Sequence, residues 1–277
     1  LEIKETALGP DHPRTGTTLN NLGLLLKDKG DLEAAEPLLQ RAIKINEKAL
    51  GPNHPSTGTS LNSLAMLLEH KGDLEAAEPL YRRALKITET VLGPDHPSTG
   101  TSLNNLAGLL EDKGDLEAAE PLYRRELKIN EKNLGPDHPD LARDFQSYGV
   151  LLRSLERYDA ALDIFNRALA INEKNIGPDS EEVASALSAL GKLFELQGKY
   201  EDSLQSYSRA RTIRENLVGP LHPDTARLYF RLGELELTRG NKTAAKEAFK
   251  KAWDAYEDAY GSEDEDSVVA RNAYENC

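Results

Sequence analysis

The chain has 277 residues, 39% of them hydrophobic and 29% charged, a balance that indicates a folded protein. Its formal net charge of −13 repels phosphate backbones and anionic headgroups, which disfavours nucleic acid and membranes as partners. A single cysteine, Cys277, excludes an internal disulfide and favours a reducing, cytoplasmic setting. No apolar run approaches the roughly 18 to 20 residues that span a bilayer.

A glycine recurs with a period of 42 residues, from Gly9 to Gly261, and no insertion interrupts the series. This period predicts one continuous array with six complete repeats between two partial ones. The predicted boundaries are 1–8, 9–50, 51–92, 93–134, 135–176, 177–218, 219–260 and 261–277. Residues 1–4 align with the middle of a second helix, at 43–46, so we expect a piece cut from a longer array.

Each repeat contains two helical patterns and no strand pattern. In repeat 3, Leu103, Leu106 and Leu110 are spaced by three and four residues, which places them on one helix face. Gly114 is expected to end this first helix and Asp115 to cap the second, which stops at Gly135-Pro136. The pattern therefore predicts tandem helix-turn-helix hairpins.

Repeat 3 resembles the tetratricopeptide consensus in its small and large packing residues. The matching residues are Asn105, Leu106, Ala107, Gly114, Leu116, Ala119, Tyr123 and Leu127. The period, the LGPDHP loop and the EAAEPLYRRAL string are similar to the repeat class of kinesin light chains and nephrocystin-like proteins. The resemblance implies an all-α, right-handed superhelical solenoid whose first helices line a concave, peptide-binding groove.

On the first helices of the early repeats, the positions expected to face this groove hold short polar side chains. Asn20, Asn62 and Asn104 occupy one equivalent position and form a ladder if stacking is regular. An amide side chain offers both donors and an acceptor to a peptide backbone. We therefore interpret these three residues as part of a peptide-binding groove.

The later repeats place mostly cations in the same register. The candidate groove residues there are Arg143, Gln146, Arg153, Lys192, Arg227 and Arg231. Arginine recognises carboxylates with two hydrogen bonds, so these positions suggest binding of an acidic segment. The alternative is internal neutralisation, with Arg143 paired to Asp140 or Asp144 and Arg231 paired to Glu234.

Five histidines recur in the loops between repeats, at His12, His54, His96, His138 and His222. Because each lies alone and one repeat from the next, a shared metal ion is not expected. We predict instead that the Asp-His-Pro run caps the following helix, with proline in its first turn. No metal or other cofactor is predicted.

Two local features depart from the repeat pattern. Glu126 stands where other repeats have alanine, and we expect it to turn toward solvent, with a loosened interface as the alternative. The last complete helix carries an aromatic stripe from Phe249 to Tyr260. Residues 268–274 are expected to fold over this stripe as an end cap, because terminal repeats must hide an open face. If that segment is loose, the stripe is instead a contact site for a second copy.

No phosphate loop, zinc-protease pair or nucleophile elbow is present in the sequence, so we do not expect an enzyme. The predicted function is a protein–protein interaction scaffold that binds a protein or peptide, with an acidic segment as the specific candidate. Two alternatives stay open at this point. One is a structural spacer that self-associates, weakly and through its ends, and the other is a regulatory arm of a larger enzyme.

Overall fold

The computed structural model describes residues 2–277, with side chains from Lys4 onward. Within this range the chain forms fourteen α-helices and no strand, as predicted. The helices are α1 (Glu2–Leu8), α2 (Pro13–Asp28), α3 (Leu32–Leu50), α4 (Pro55–His70), α5 (Leu74–Val91), α6 (Pro97–Asp112), α7 (Leu116–Leu134), α8 (Leu141–Ser154), α9 (Tyr158–Asn175), α10 (Glu181–Leu196), α11 (Tyr200–Val218), α12 (Pro223–Thr238), α13 (Lys242–Tyr260) and α14 (Glu265–Glu275). In this described part, no helix is long and apolar enough to span a membrane.

The helices from α2 to α13 pair into six hairpins, one in each predicted repeat. The chain divides into two compact units, Leu1–Pro136 and Asp137–Cys277, here called the N-terminal and C-terminal units. Within each unit, a first helix packs against its own second helix and against the second helix of the preceding repeat. The predicted all-α architecture of tandem helical hairpins is therefore confirmed.

Histidine begins the first helix in repeats 1, 2, 3 and 6. His96 has extended backbone angles, and its Nδ1 accepts a hydrogen bond of 3.0 Å from the Ser98 N–H, while Pro97 opens the helix. The predicted capping role is thus confirmed for His12, His54, His96 and His222. It is wrong for His138, because α8 begins at Leu141 after Asp140, which makes no side-chain capping bond. Ser180 and Asp264 occupy the same register position where histidine is absent, and they cap their helices by accepting from the Val183 N–H and the Asp266 N–H, respectively.

An aspartate begins the second helix in the first three repeats. In repeat 3, Gly114 adopts a φ of 80°, which turns the chain after α6. The side chain of Asp115 then accepts a hydrogen bond of 3.3 Å from the Ala118 N–H. Both predictions for this turn are confirmed, because capping depends on residues close in sequence.

Small residues allow the two helices of a hairpin to approach closely. A Cβ atom added at Gly149 of α8 would lie 2.5 Å from the Phe165 ring of α9. Gly233 and Phe249 repeat this arrangement at 2.6 Å in the last hairpin. The glycine is therefore required by packing beside these two phenylalanines. Repeats 2 and 3 have Ala65 and Ala107 at the same position, with tyrosine at the partner position.

Ion pairs connect successive repeats at one register position. Lys71, just after α4, lies 2.8 Å from Glu36 and 3.0 Å from Glu33, both on the preceding second helix. Lys113 makes the same two contacts to Glu78 and Glu75, one repeat later. Such exposed ion pairs contribute little stability individually, so their main effect is on how one repeat aligns with the repeat before it.

Glu126 is buried, with 2% of its surface exposed, so the prediction that it turns outward is wrong. Its position faces the interior in every repeat, and the equivalent alanines Ala42, Ala84 and Ala168 are fully buried. The Asn130 side chain, one turn later, donates a hydrogen bond of 2.7 Å to Glu126 Oε1. This donor offsets part of the cost of burying the carboxylate.

The aromatic stripe of α13 has several different neighbours. Trp253 contacts Tyr274 of α14, with ring centroids 5.7 Å apart, and Tyr256 packs beside the buried Ala270. Phe249 instead packs against Phe230 of α12. The expected cover by residues 268–274 is thus present over the middle of the stripe, while Tyr260 is 55% exposed.

Candidate ligand-binding faces of the first helices

The first helices of the N-terminal unit present a face that we call the N-terminal face. It is defined by two register positions on α2, α4 and α6, seven residues apart in each helix: Asn20, Asn62 and Asn104, then Lys27, Glu69 and Glu111. Seven residues are close to two helical turns, so both positions lie on one side of their helix.

The three predicted asparagines make no hydrogen bond within residues 4–277. Asn20 is only 5% exposed, and the buried Oδ1 atoms of Asn20 and Asn62 have no donor among the described residues. By contrast, Thr59 on the same helix donates to the Pro55 carbonyl at 3.3 Å and is satisfied locally. The face therefore carries amides with unused hydrogen-bonding capacity.

Three glutamates are held by tyrosines from the second helix of the same hairpin. The Tyr81 hydroxyl donates to Glu69 at 2.6 Å, and Tyr123 donates to Glu111 at 3.2 Å. In the C-terminal unit, Tyr207 donates to Glu195 at 3.2 Å. These couples fix the carboxylates, two of them on the N-terminal face.

Glutamate on the first helix and tyrosine twelve residues later on the second helix occur together in all six repeats or not at all. The three repeats without this pair have Lys27 with Leu39, Arg153 with Phe165, and Leu237 with Phe249 at these two positions. Sequence analysis missed this feature, although a comparison of positions twelve residues apart in each repeat would have found it.

Burial and neighbouring charge act together on the Tyr81–Glu69 couple. Burial raises the pKa of Glu69 above its ordinary value, and Asp112 raises it further, against the lowering effects of Tyr81 and Lys27. Burial and the Glu69 carboxylate also raise the pKa of Tyr81 far above its usual range. The hydroxyl consequently remains a donor at all ordinary pH values.

The first helices of the C-terminal unit carry the six other predicted groove residues, here called the C-terminal face. Three of them come from successive first helices: Arg153, Lys192 and Arg231. Burial and the Glu195 carboxylate raise the pKa of Tyr207, while the charges of Arg231 and Arg153 lower it. Lys192 lies 2.8 Å from Glu195, the acceptor of the Tyr207 hydroxyl.

Some of the cations on the C-terminal face pair with a carboxylate of the chain, and others do not. Arg231 pairs with Glu234 at 2.8 Å, as the alternative interpretation expected, and Arg227 lies 3.7 Å from Asp224. Arg143 makes no ion pair or hydrogen bond within the described residues, so its expected pairing with Asp140 or Asp144 is not observed. Arg153 likewise has no ion pair in that range.

Arg143 and Gln146 line one cavity of about 450 Å³ at the amino-terminal end of this face. Ser185 of α10 lines it from the next first helix, and the half-exposed Ile176 contributes an apolar wall. Two predicted groove residues are thereby joined in one concave surface. Arg227 is not among the residues that line it.

A buried arginine beside this cavity was not predicted. Arg214 is 8% exposed, and its Nη2 donates to Glu181 at 2.6 Å, while Nη1 donates to the Asp224 carbonyl at 3.4 Å. Asn172 occupies the same position in repeat 4 and bonds only forward, to the Glu182 carbonyl. The arginine therefore ties three helices, α10, α11 and α12, where asparagine ties two.

The part of the chain with described side chains contains no group of three or more potential metal ligands. The loop histidines instead use Nδ1 for backbone capping, as at His12 and His222.

The sequence profile of the tetratricopeptide repeat matches residues 1–48, 14–90, 59–132, 99–174, 146–216 and 182–258. A kinesin light chain-like protein of Podosopora anserina with nearly identical repeats is similar in structure, with a TM-score of 0.68 and 21% identity over 75% of this chain and 98% of that one. BtubC (BKLC) of P. vanneervenii gives 0.71 and 22%, over 83% and 92%. PilF of Pseudomonas aeruginosa gives 0.61 and 19%, over 95% and 99%. No curated protein sequence matches the chain. At these identities the structural likeness shows the fold alone.

Proposed function

Because the chain belongs to the tetratricopeptide repeat family, whose members are generally non-catalytic protein-interaction scaffolds, we propose that its first-helix faces bind a peptide or protein segment. The observation that carries this proposal is that the side-chain amides of Asn20, Asn62 and Asn104 make no hydrogen bond among the described residues, with the Oδ1 atoms of Asn20 and Asn62 buried. Buried polar atoms are normally paired, and a peptide backbone supplies both the donors and the acceptors that these amides lack.

The C-terminal face is proposed to hold an acidic stretch of the ligand. Arg143 and Arg153 have no carboxylate partner among the described residues. Arg231 is paired, but its side chain is 42% exposed, and such a pair is exchanged at little cost. Arginine forks bind carboxylates with two hydrogen bonds, so a ligand carboxylate can compete with Glu234.

The test begins with affinity capture from native extract, followed by titration of a captured protein against variants. Replacing both Arg153 and Arg231 with glutamine should weaken binding about tenfold, or ~1.4 kcal/mol, and should flatten its dependence on salt. Arg82→Gln is the matched control, because Arg82 is exposed on a second helix and pairs only with Glu78. Equal affinity for the double variant and the parent would rule out the acidic-segment proposal.

Self-association is the competing outcome for the same surfaces. If the chain is a structural spacer, static light scattering should show a molar mass that rises with concentration in the absence of ligand. The proposed scaffold should keep a constant molar mass over that range.

A further inference from the structure

We infer that the C-terminal unit binds a free α-amino acid with an aliphatic side chain, in a cavity between α11, α12 and α13. The cavity has a volume of about 190 Å³ and is lined by residues from all three helices. Pockets for drug-sized ligands measure roughly 300 to 1,000 Å³, so this one fits only a smaller molecule. None of the predicted groove residues lines it, so the site is separate from the proposed peptide-binding faces.

The corresponding space in the N-terminal unit, between α3, α4 and α5, is filled by a hydrophobic cluster. Five members of that cluster are Ile43, Leu61, Leu64, Leu68 and Leu80. The residues at the same register positions in the C-terminal unit, each 168 residues or four periods of 42 later, are Arg211, Tyr229, Leu232, Glu236 and Ala248. All five line the cavity. The cavity therefore takes the place of packed core side chains.

Two of these replacements introduce a charge at a packing position. The other five repeats have an apolar residue where Arg211 stands. Glu236 stands at a position that is leucine in the first four repeats and phenylalanine in the fifth. Ionic groups cost stability at such positions unless they are paired. This junction thus gives up hydrophobic packing and gains ionic groups on the wall of a cavity.

A third replacement leaves the space itself. The first three repeats have leucine where Ala248 stands, and Leu80 packs in the hydrophobic cluster of the N-terminal unit. Loss of a buried leucine side chain leaves an unfilled volume unless the surroundings collapse. The cavity keeps apolar walls at Leu204 and Leu232. An aliphatic side chain of the ligand would fill the space that leucine fills elsewhere in the array.

Arg211 has donors that no residue of the described chain uses. It makes no hydrogen bond in that range, and its Nε lies 3.6 Å from a carboxylate oxygen of Glu215. Glu215 already accepts from the Tyr229 hydroxyl. The Arg211 side chain is 30% exposed and lines the cavity, so a ligand can reach it. A carboxylate is the group that an arginine fork binds with two hydrogen bonds.

The ion pair that joins neighbouring second helices is changed at this junction. One repeat earlier, Arg209 lies 2.7 Å from Glu173 of the preceding repeat. Lysine replaces this arginine in the last repeat, and Lys251 pairs with Glu247 of its own helix at 3.4 Å. Its ammonium group lies 5.4 Å from the centre of the Tyr229 ring. A second cation is thereby placed at the cavity.

The charges that line the cavity balance, since Arg211 and Lys251 are matched by Glu236 and Glu247. A zwitterion meets both signs, whereas a ligand with one charge meets only half of them. Glu236 pairs with Arg239 at 3.2 Å, but a carboxylate has about four acceptor sites and can also bind an ammonium group. A free α-amino acid carries a carboxylate, an ammonium group and a side chain on one carbon.

The experiment titrates the intact chain with L-leucine, L-isoleucine, L-valine and L-methionine by isothermal calorimetry. We expect saturable binding of at least one of them. Its amide lacks the carboxylate and its N-acetyl derivative lacks the ammonium group, so each should bind at least tenfold more weakly. Thermal unfolding gives a second readout, because a ligand that binds only the folded chain raises the thermal midpoint.

Two variants restore residues that other repeats have at these positions, so both should fold. Ala248→Leu fills the cavity and Arg211→Leu removes the proposed carboxylate partner, and each should lower the affinity at least tenfold. Arg209→Leu is the matched control, because Arg209 is exposed and does not line the cavity. It should bind as the parent does, and circular dichroism verifies the folding of all three.

Three results would overturn the inference. The first is that none of the four amino acids binds the parent. The second is equal affinity for the parent and for Ala248→Leu, which would place the amino acid outside this cavity. The third is equal affinity for the amino acid and its amide, which would remove the role of Arg211. Each of them leaves the scaffold proposal standing, since that proposal concerns other residues.

Discussion

Burial of the Glu69 side chain on the N-terminal face lowers the free energy of unfolding at neutral pH. The pKa of Glu69 is raised mainly by burial, so its charged form is less stable in the folded chain than in the unfolded chain. This destabilisation is present above the folded-state pKa and vanishes below the unfolded value near 4.3. Glutamine at this position would keep an acceptor for Tyr81 without the charge.

We therefore expect Glu69→Gln to raise the thermal midpoint at pH 7, with a gain that shrinks as the pH falls toward about 4. Thermal unfolding followed by circular dichroism across this range gives the measurement. A gain that is constant with pH would show that charge burial is not its cause.

The contribution of a histidine N-cap to stability can be tested by substitution. Replacing His96 with alanine removes the acceptor for the Ser98 N–H and should cost about 1 kcal/mol of stability. Serine or aspartate at the same position should retain most of the stability, because Ser180 and Asp264 already serve in this register. Chemical denaturation of the three variants provides the comparison, and equal losses in all of them would contradict the capping role.

Helix packing within a hairpin gives a second test at the level of elements. Gly149→Ala places a methyl group 2.5 Å from the Phe165 ring and should destabilise the protein by about 1–3 kcal/mol. Gly108→Ala is the matched control, since its added Cβ would lie no closer than 3.7 Å to the Tyr123 hydroxyl. There, alanine should stabilise the helix by up to ~1 kcal/mol. Denaturation midpoints that move in the same direction would refute the packing argument.

Over the whole molecule, stability should be distributed along the array, because each hairpin packs mainly on its neighbours. The Gly149→Ala change should accordingly speed amide hydrogen exchange in α8 and α9 while α2 and α3 keep their protection. Mass spectrometry of exchanged peptides resolves these segments. Uniformly faster exchange throughout the chain would indicate a single cooperative unit instead.

The sequence was most informative where the cause of the structure is local. The hairpins, the histidine caps and the turn at Gly114 depend on residues within a few positions of one another, and all were predicted. The burial of Glu126 and the clasp of Arg214 were not, because both depend on contacts between helices. The groove residues lie between these cases. The repeat predicted their positions on the first helices, and the pairing of Arg231 with Glu234 was foreseen as an alternative. The choice between the alternatives, and the absence of a partner for Arg143 among the described residues, required the three-dimensional arrangement.

The lysines that follow α4 and α6, Lys71 and Lys113, each contact two glutamates in the preceding repeat. Both contacts therefore join the same positions of two adjacent repeats, whatever the place of those repeats in the chain. Unequal recombination that adds or removes one whole repeat of coding sequence would restore the same contacts at the new junction. Among the early repeats, array length is a variable that evolution can change in single steps without first creating a new interface.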